Sequence, residues 1–571
     1  MVRSLERYVN ANDQAVAKYA GCAWPSAVSF LPPRAQGNRA DAICKGYLRF
    51  LNAEATVGFP PKWHSSQLPK LWQYNLHYFE WLWALNYWQA RSVVLDWIEK
   101  YHQKGDAIGW EPYPTSLRLV NWCALFFGRF RGRVEGDHAF MDKLWSSVCR
   151  QAQWLTKHLE THLLGNHYLE NGAALAFVGS CFKGERARRW FEKGYGILQE
   201  QIHEQILPDG MHFELSPMYH CRVMYVLAML MATGNRQFSK LIVEPLERMV
   251  EALNAVCHPD GQIALLSDSA FGIYNEPAEL RSFWESRAQV TGPGREVLEG
   301  CFSLSHAGYY GWRDQKGNYI VCDAGKIGPD YIPGHGHADI FSYELSLASR
   351  RVVVDSGVHN YEVSCMRQYN RSTEAHNTVE INGQDQCEMW RSFRVARRGY
   401  PHDVSCETTE DGFQLSGWHD GYGRLPGKPV HHRFLKWTAS EGLAVYDTVT
   451  TSKTVQAVSR IHLHPDCAIV DCSDRAVIVA CGEVRFRVIG VKCDELKLEQ
   501  GWYCPEFGCR HKTNVICLSS EGKDVEIGYR LIRLKLYEKK SESPANVKSK
   551  DDCTEISSDV MAPKHLLFGH A

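Results

Sequence analysis

Two histidines that alternate with glycine form the most unusual segment of the sequence, Gly334-His-Gly-His-Ala-Asp339. Side chains at i and i+2 of an extended segment point the same way. Downstream, Asp355 ends a valine-rich run and His376 precedes another β-branched run. His337, Asp355 and His376 would supply two imidazoles and a carboxylate, which suit zinc or another divalent ion. The long spacing equally allows histidines that are hydrogen-bonded at a sheet edge.

A second polar cluster is Gly165-Asn-His-Tyr-Leu-Glu-Asn-Gly172, directly before an apolar run. On a helix, His167 and Glu170 are three residues apart and share a face. Polar groups this dense beside apolar residues need partners or a pocket. The alternative is a capped helix start, with Asn166 as the N-cap and Glu170 near the first turn.

Three further segments combine aromatic rings with polar groups. Tyr219 follows Ser216-Pro217, where a turn predicts the start of a helix, and such a tyrosine is commonly a packed ring with a solvated hydroxyl. The segments 72–80 and 112–122 alternate aromatic, amide, imidazole and guanidinium groups. They suit either a helix–helix contact or a groove for a sugar chain.

The elements that must position these groups change near residue 305. Fourteen of the 18 tryptophans lie at or before Trp312, and apolar residues recur at helical spacing in this half, as from Leu144 to Leu159. Later, short β-branched runs such as Arg351–Asp355 are bounded by Gly, Asp or Asn, which predicts an antiparallel sandwich. The sequence therefore predicts a multidomain chain, α then β, with a polar, flexible tail from about Lys539.

Composition excludes several classes of protein. The 571 residues are 44% hydrophobic and 23% charged, which is typical of a globular chain. Lys and Arg number 64 against 65 Asp and Glu, so no overall basic field predicts a nucleic-acid partner. No apolar run is long enough for a membrane span. The 20 cysteines lack a C-x-x-C pair, and residues 1–30 lack a signal-like apolar run. These features predict a cytoplasmic protein, or a periplasmic or secreted one if a leader preceded this sequence.

Taken in order, the motifs resemble those of the heparinase II/III family of polysaccharide lyases. The matching segments cover most of residues 60–470 and are 72–79, 112–118, 166–172, 209–219 and 334–339, with Asp355-Ser-Gly and His376-Asn-Thr. The resemblance implies an (α/α) helical toroid over residues 1–304 and an antiparallel β-sandwich over 305–538, followed by the tail at 539–571. It places the active site in the cleft between toroid and sandwich.

The resemblance also implies β-elimination on a uronic-acid-containing polysaccharide. That chemistry needs donors that neutralise the carboxylate, a base for the C5 proton and an acid for the O4 leaving group. By motif, Tyr219 corresponds to the catalytic tyrosine and His335 to the histidine opposite it. Asn166 and His167 would neutralise the carboxylate, and a protonated Glu170 would assist them.

The remaining residue roles carry over in the same way. His337, Asp355 and His376 correspond to a divalent metal site, zinc in some members. The predicted subsite residues are Tyr74, Asn75, Arg118 and Asn121. The expected partner is an acidic polysaccharide, such as a glycosaminoglycan or a bacterial exopolysaccharide. The polymer, the cleavage mode, the C5 epimer and the oligomeric state are not set by the sequence.

Two other functions fit the same residues. The first is a toroid glycoside hydrolase that uses Glu170 and Glu214 as its carboxylate pair. The second is a glycan-binding protein that keeps the cleft without the chemistry. The reaction product separates the first from a lyase, because only a lyase leaves a C4=C5 double bond.

Overall fold

The computed structural model describes residues 18–101, 108–288 and 299–534. Helices dominate up to Ala288, and strands dominate from Gly300. The α-helices before Ala288 are Ala40–Cys44, Lys70–Tyr78, Tyr87–Tyr101, Pro112–Cys123, Arg131–Glu135, His138–Leu155, Gly165–Cys181, Glu185–Gln205, Pro217–Ala232, Arg236–Ala255 and Pro277–Ala288. A π-helix, Ala124–Arg129, continues one of them. Within the described residues, no helix is long and apolar enough to cross a bilayer.

Glycines set how closely two of these helices approach. On helices Gly165–Cys181 and Glu185–Gln205, a Cβ added at Gly194 would lie 2.3 Å from the backbone nitrogen of Ala176. A Cβ at Gly179 would lie equally close, 2.3 Å, to the nitrogen of Phe191. The backbones of these two helices are therefore in direct contact. This contact fixes the position of helix Gly165–Cys181, which carries residues 166–170.

The β half contains two main antiparallel sheets. The small sheet is made of Gly300–Leu304, Tyr309–Arg313, Tyr319–Asp323, Tyr343–Leu347 and Arg350–Val353, in that order. The large sheet runs Pro401–Thr409, Gly412–His419, Val430–Thr438, Gly442–His462, His511–Arg533, Val484–Lys492, Ala476–Cys481 and Cys467–Ser473, with Glu495–Tyr503 and Val379–Ile381 paired beside this path. The long strands Gly442–His462 and His511–Arg533 pair along most of their length and form its centre.

The small sheet is buried on both faces. Along strand Tyr319–Asp323, Ile320 and Cys322 join the core that the two sheets share. Tyr319 and Val321 instead pack on residues of the helical half such as Leu266. Because successive side chains of a strand face opposite ways, a strand with helices on one face and a sheet on the other must be apolar throughout.

This layering agrees with the predicted order of helices, then a sandwich. The strand Gly300–Leu304 lies just before the predicted change at 305, because its short, partly polar sequence gives a weak strand signal. The division into separate domains at 304/305 stays a prediction, and the described residues up to Leu534 belong to one compact unit. The predicted tail, 539–571, lies outside the described residues.

Candidate active site at the junction of helices and sheets

Tyr219 stands in the first turn of helix Pro217–Ala232. The Ser216 hydroxyl accepts a hydrogen bond from the Tyr219 backbone N–H at 3.3 Å, which caps the helix, and Pro217 occupies its first turn. The same hydroxyl donates to the Asp268 carbonyl oxygen at 2.6 Å. The tyrosine is thus positioned by a helix start that is itself bonded to a neighbouring loop.

The ring of His335 faces the ring of Tyr219, with 4.0 Å between their centroids. His335 Nδ1 lies 2.9 Å from a carboxylate oxygen of Asp268, and Nε2 is 3.7 Å from a carboxylate oxygen of Glu214. The Tyr219 hydroxyl is 3.1 Å from that of Tyr361. Burial, and then Tyr361, raise the pKa of Tyr219 well above its ordinary value, so the resting side chain is a phenol.

Asp268 is the carboxylate on which this side of the site depends. One of its oxygens binds His335, and the other binds His337 Nε2 at 2.9 Å. The Arg367 guanidinium donates to both oxygens. Burial raises the pKa of Asp268, but Arg367 and the two histidines outweigh it and hold that pKa well below its ordinary value. Asp268 is therefore an anion that orients two histidines at once.

Asn166 lies in the first turn of helix Gly165–Cys181 and is bonded to Glu214. Its backbone N–H donates to one Glu214 oxygen at 2.9 Å, and its side-chain amide donates to the other at 2.8 Å. A Cβ at Gly165 would lie 2.4 Å from that carboxylate. The alternative in which Asn166 is the N-cap is wrong, because the residue before the helix is Leu164, and Glu214 satisfies the helix start instead.

His167 is half-buried beside Asn166. Its Nδ1 lies 3.0 Å from a carboxylate oxygen of Glu160, and its ring stacks on Tyr113 with 4.2 Å between centroids. Burial lowers the pKa of His167, but the Glu160 carboxylate outweighs this effect and raises the pKa above its ordinary value. A cationic imidazole here would suit an anionic ligand.

Glu170 is buried and fully bonded. Arg222 donates to both of its oxygens, at 2.7 and 2.6 Å, and the Tyr113 hydroxyl donates at 2.8 Å. Arg222 also donates to Glu80 at 3.2 Å. The expected protonated Glu170 that donates to a substrate finds no support in this geometry, because Arg222 bonds both oxygens of a carboxylate. Glu170 instead accepts a hydrogen bond from the Tyr113 hydroxyl and so positions the ring on which His167 stacks.

The four predicted subsite residues fall into two groups. Tyr74 is partly exposed, donates to Glu111 and lies in an aromatic cluster with Tyr78 and Tyr113. Asn75 is buried, with its amide nitrogen on the Leu71 carbonyl and its oxygen on a glutamine side chain. Tyr74 therefore lies at the edge of the site, whereas Asn75 supports its own helix.

Arg118 and Asn121 form their described contacts inside the helical half, and their subsite role stays a prediction. Arg118 is fully buried, with its guanidinium 4.2 Å from the ring centroid of Trp97 and bonded to the Gly109 carbonyl at 2.7 Å. The Asn121 amide donates to two backbone carbonyls, and its oxygen accepts from the Trp83 indole at 2.8 Å. Both side chains have their polar groups satisfied by the protein.

His337, Asp339 and His376 form a group that could hold a metal ion. One ligand atom from each lies within 4.8 Å of the others. His337 Nδ1, His376 Nε2 and an oxygen of Asp339 are buried and have no hydrogen-bond partner in the part of the chain that the structure describes. Buried polar atoms are rarely left unpartnered, so their convergence fits a cation.

Asp355, the third predicted ligand, lies 2.7 Å from His376 Nδ1 through one carboxylate oxygen. Asp268 holds His337 in the same manner, so each histidine is oriented at one nitrogen and presents the other to the group. Carboxylates behind metal-ligating histidines commonly act this way. Burial is the largest cause that raises the pKa of Asp339, to about 6; His376 lowers that pKa and Asp355 raises it. A cation at this group would favour the ionised carboxylate.

Several residues of the site were not predicted as catalytic or ligating groups. They are Asp268, Asp339, Tyr361 and Arg367, and Glu214 was named only as one of the two carboxylates of the hydrolase alternative. Asp339 closes the Gly-His-Gly-His segment itself, and Glu214 lies in the segment that contains Tyr219, so proximity to a motif was a usable signal. Asp268 and Arg367 carry no such local signal, because they meet only in the folded chain.

The chain belongs to the heparinase II/III family. The model of the heparinase II/III N-terminus matches residues 72–287, and the model of the heparinase II/III-like C-terminal region matches 297–557. Together these matches cover most of the chain, with their junction near the change from helices to strands.

Curated relatives and solved structures agree with this assignment. A heparin-sulfate lyase of Pedobacter heparinus is 26% identical over 360 residues, which are 55% of this chain and 52% of the relative. The chain thus spans about half the length of the curated relatives it matches. A crystal structure of heparinase III has a TM-score of 0.71 at 17% identity and covers 89% of this chain and 86% of its own. A heparan sulfate lyase mutant from Pedobacter heparinus has a TM-score of 0.62 at 20% identity, with 86% and 82% covered. The fold is therefore the helical toroid followed by an antiparallel β-sandwich.

Proposed function

We propose that this chain is a polysaccharide lyase that cleaves an acidic, uronate-containing polymer, of the glycosaminoglycan type, by β-elimination. The proposal rests on one observation. The rings of Tyr219 and His335 lie against each other at the junction of toroid and sandwich, with 4.0 Å between their centroids. Family membership supports the reaction class. The relatives are heparin-sulfate lyases, which supports a glycosaminoglycan substrate.

The proton transfers follow from the resting state of each group. A base takes the proton from C5, the C4–O4 bond breaks, a C4=C5 double bond forms, and an acid protonates O4. His335 keeps Nε2 available because Nδ1 faces Asp268, so it suits the base. Tyr219 is a phenol at rest and suits the acid. His167, with its raised pKa, would neutralise the substrate carboxylate together with Asn166.

The hydrolase alternative is less well supported by the same geometry. It requires one carboxylic acid and a second carboxylate on either side of the bond. Glu170 bonds Arg222 through both oxygens, and Glu214 bonds Asn166 through both of its own. Neither is placed as a free acid.

We also propose that the ion held by His337, Asp339 and His376 is zinc, with Asp355 behind His376. Two imidazoles and a carboxylate are a common zinc donor set. The ion, when bound, would supply positive charge that fixes the wall carrying His335. Elemental analysis of the purified protein, beside a His376→Ala variant, should give close to one zinc per wild-type chain and none in the variant. Another metal, or none, would contradict this assignment.

The reaction is tested by ultraviolet absorbance of the protein mixed with heparan sulfate, chondroitin sulfate, hyaluronan and alginate. We expect absorbance from the unsaturated uronate end to rise with at least one polymer. New reducing ends without that absorbance would indicate hydrolysis and contradict the proposal. Absence of both, with polymer binding retained, would indicate a binding protein.

A further inference from the structure

A short hairpin adjoins the candidate site from the sandwich side. Its strands, Met389–Trp390 and Arg394–Val395, pair antiparallel with Arg394 opposite Trp390. The tip is Arg391, Ser392 and Phe393. We call residues 389–395 the arginine hairpin.

Two buried arginines fasten the backbone of the arginine hairpin. Arg367 donates to the Ser392 carbonyl through two nitrogens, at 3.0 and 2.7 Å. Arg371 donates to the carbonyls of Arg391 and Arg394, at 3.2 and 3.3 Å. Arg367 is also the partner of Asp268, so one guanidinium holds both the hairpin and the carboxylate that orients His335.

The tip of the hairpin lies next to the candidate base. The ring of Phe393 is 6.0 Å from that of His335 and 5.1 Å from that of Tyr361, between centroids. A Cβ added at Gly334, the residue before His335, would be 3.7 Å from Phe393. A sugar chain bound at His335 would therefore pass close to this tip.

The outward side of the hairpin is both aromatic and cationic. Trp390 is 49% exposed and Phe393 is 44% exposed. Arg391 and Arg394 are exposed as well, and the Arg391 guanidinium lies 5.7 Å from the ring centroid of Trp390. Large exposed rings in such a short segment are typical of a binding surface.

The two exposed arginines of the hairpin, Arg391 and Arg394, lack a counter-charge among the described residues. Neither Arg391 nor Arg394 forms an ion pair with any described residue, whereas Arg397 lies 3.7 Å from Glu388 and Arg398 lies 3.3 Å from Asp330. The whole chain has a net charge of −1, so general basicity does not explain this local excess. An anion bound by these guanidinium groups would supply the counter-charge that the described residues do not.

We infer that the arginine hairpin is the subsite for the sugar next to the cleaved linkage, and that this sugar carries an anionic group. Trp390 and Phe393 would contact the sugar face, and Arg391 and Arg394 would bind a sulfo or carboxyl group, for which the guanidinium is the preferred partner. The inference rests on the proposed function and narrows its substrate to a chain that is charged on both sides of the cleaved bond.

The test is a double variant, Arg391→Gln with Arg394→Gln. Only side chains change, since Arg367 and Arg371 bind the hairpin through backbone carbonyls. The matched control is Arg485→Gln with Arg487→Gln, two exposed arginines on strand Val484–Lys492 of the large sheet. Both variants lose the same charge. The probes are heparan sulfate and its unsulfated backbone polymer of glucuronate and N-acetylglucosamine.

We expect KM of the hairpin variant to rise about 10- to 100-fold on at least one polymer, with kcat within about threefold of wild type. The rise of KM with added NaCl should also flatten, because fewer charges are screened. A loss confined to heparan sulfate identifies a sulfo group on the adjacent glucosamine. An equal loss on both polymers would place the bound carboxylate on a uronate further along the chain, because the sugar across the cleaved bond is uncharged N-acetylglucosamine in the unsulfated polymer, and would contradict the position assigned to the hairpin. Unchanged KM on both polymers, or an equal change in the control, would overturn the inference.

Direct binding of size-defined fragments separates this inference from the proposed reaction. If wild type binds a fragment without cleaving it, and the hairpin variant loses that binding, the hairpin stands as a site for an anionic sugar and the lyase proposal fails. If both proteins bind equally, or wild type binds neither polymer, the subsite is overturned. Thermal unfolding checks that both variants fold.

Discussion

The helical side and the sandwich side of the candidate site hold their reactive groups in different ways. Tyr219 and Asn166 stand in first turns of helices, so the helix backbone fixes them and only the helix start needs outside partners. His335 and His337 stand in a loop, where an ionic pair, Asp268 with Arg367, must hold them. A loop has no repeating backbone hydrogen bonds, so a buried ion pair holds these side chains in place instead. We therefore expect substitutions on the helical side to cost activity and those on the sandwich side to cost stability as well.

Tyr219→Phe should separate activity from stability most sharply. The change removes one hydroxyl whose only described bond is to Tyr361, so turnover should fall by about 10²- to 10⁴-fold while the melting temperature stays near wild type. Initial rates of ultraviolet absorbance and thermal unfolding measure the two effects. Turnover within threefold of wild type would remove Tyr219 from the reaction.

Arg367→Met should instead cause a large loss of stability. It leaves Asp268 as a buried carboxylate without its cationic partner, so the free energy of unfolding should fall by about 3–5 kcal/mol. Chemical denaturation of this variant, beside Arg397→Met as an exposed control, measures the difference. A loss below about 1 kcal/mol would mean that the loop does not depend on this pair.

Acid should weaken the helical half through its neutral histidines. Burial lowers the pKa of His77 to about 3, and His77 Nδ1 accepts from the Trp97 indole. The unfolded chain binds this proton near pH 6.5 and the folded chain does not, so stability falls as pH falls from about 6.5 to 3, with a slope of about 1.4 kcal/mol per pH unit for this group. Denaturation at stepped pH should show a shallower slope in His77→Gln; an unchanged slope would contradict the assignment.

Asn121→Ala should give the smallest effect, and it tests whether Asn121 is a subsite residue. Two backbone carbonyls and the Trp83 indole would lose their partner, which should lower the free energy of unfolding by about 1–3 kcal/mol. KM for the polymer should stay at its wild-type value. A raised KM with unchanged stability would indicate that Asn121 contacts the substrate.

The contrast between local patterns and long-range contacts also determines how much of the fold and of the site could be predicted from the sequence. The helices, the sandwich, and the segments around Tyr219 and His335 were predictable, because hydrophobic periodicity and short motifs are local. The sequence could not decide whether Arg118 and Asn121 face a groove, because helices packed on several sides also bury polar residues, and periodicity does not distinguish a groove from a packed interior. Asp268 and Arg367 are 99 residues apart, and no local pattern links them.

The small sheet has a consequence for how this architecture can be divided. With one face against the helices and the other against the large sheet, it belongs to both halves at once. A chain cut between Ala288 and Gly300 would bare an apolar surface on each piece, and neither piece would be a self-contained module. Grafting substrate preference from one relative onto another is therefore better done by exchanging surface segments than by exchanging halves, since the small sheet packs against both the helices and the large sheet.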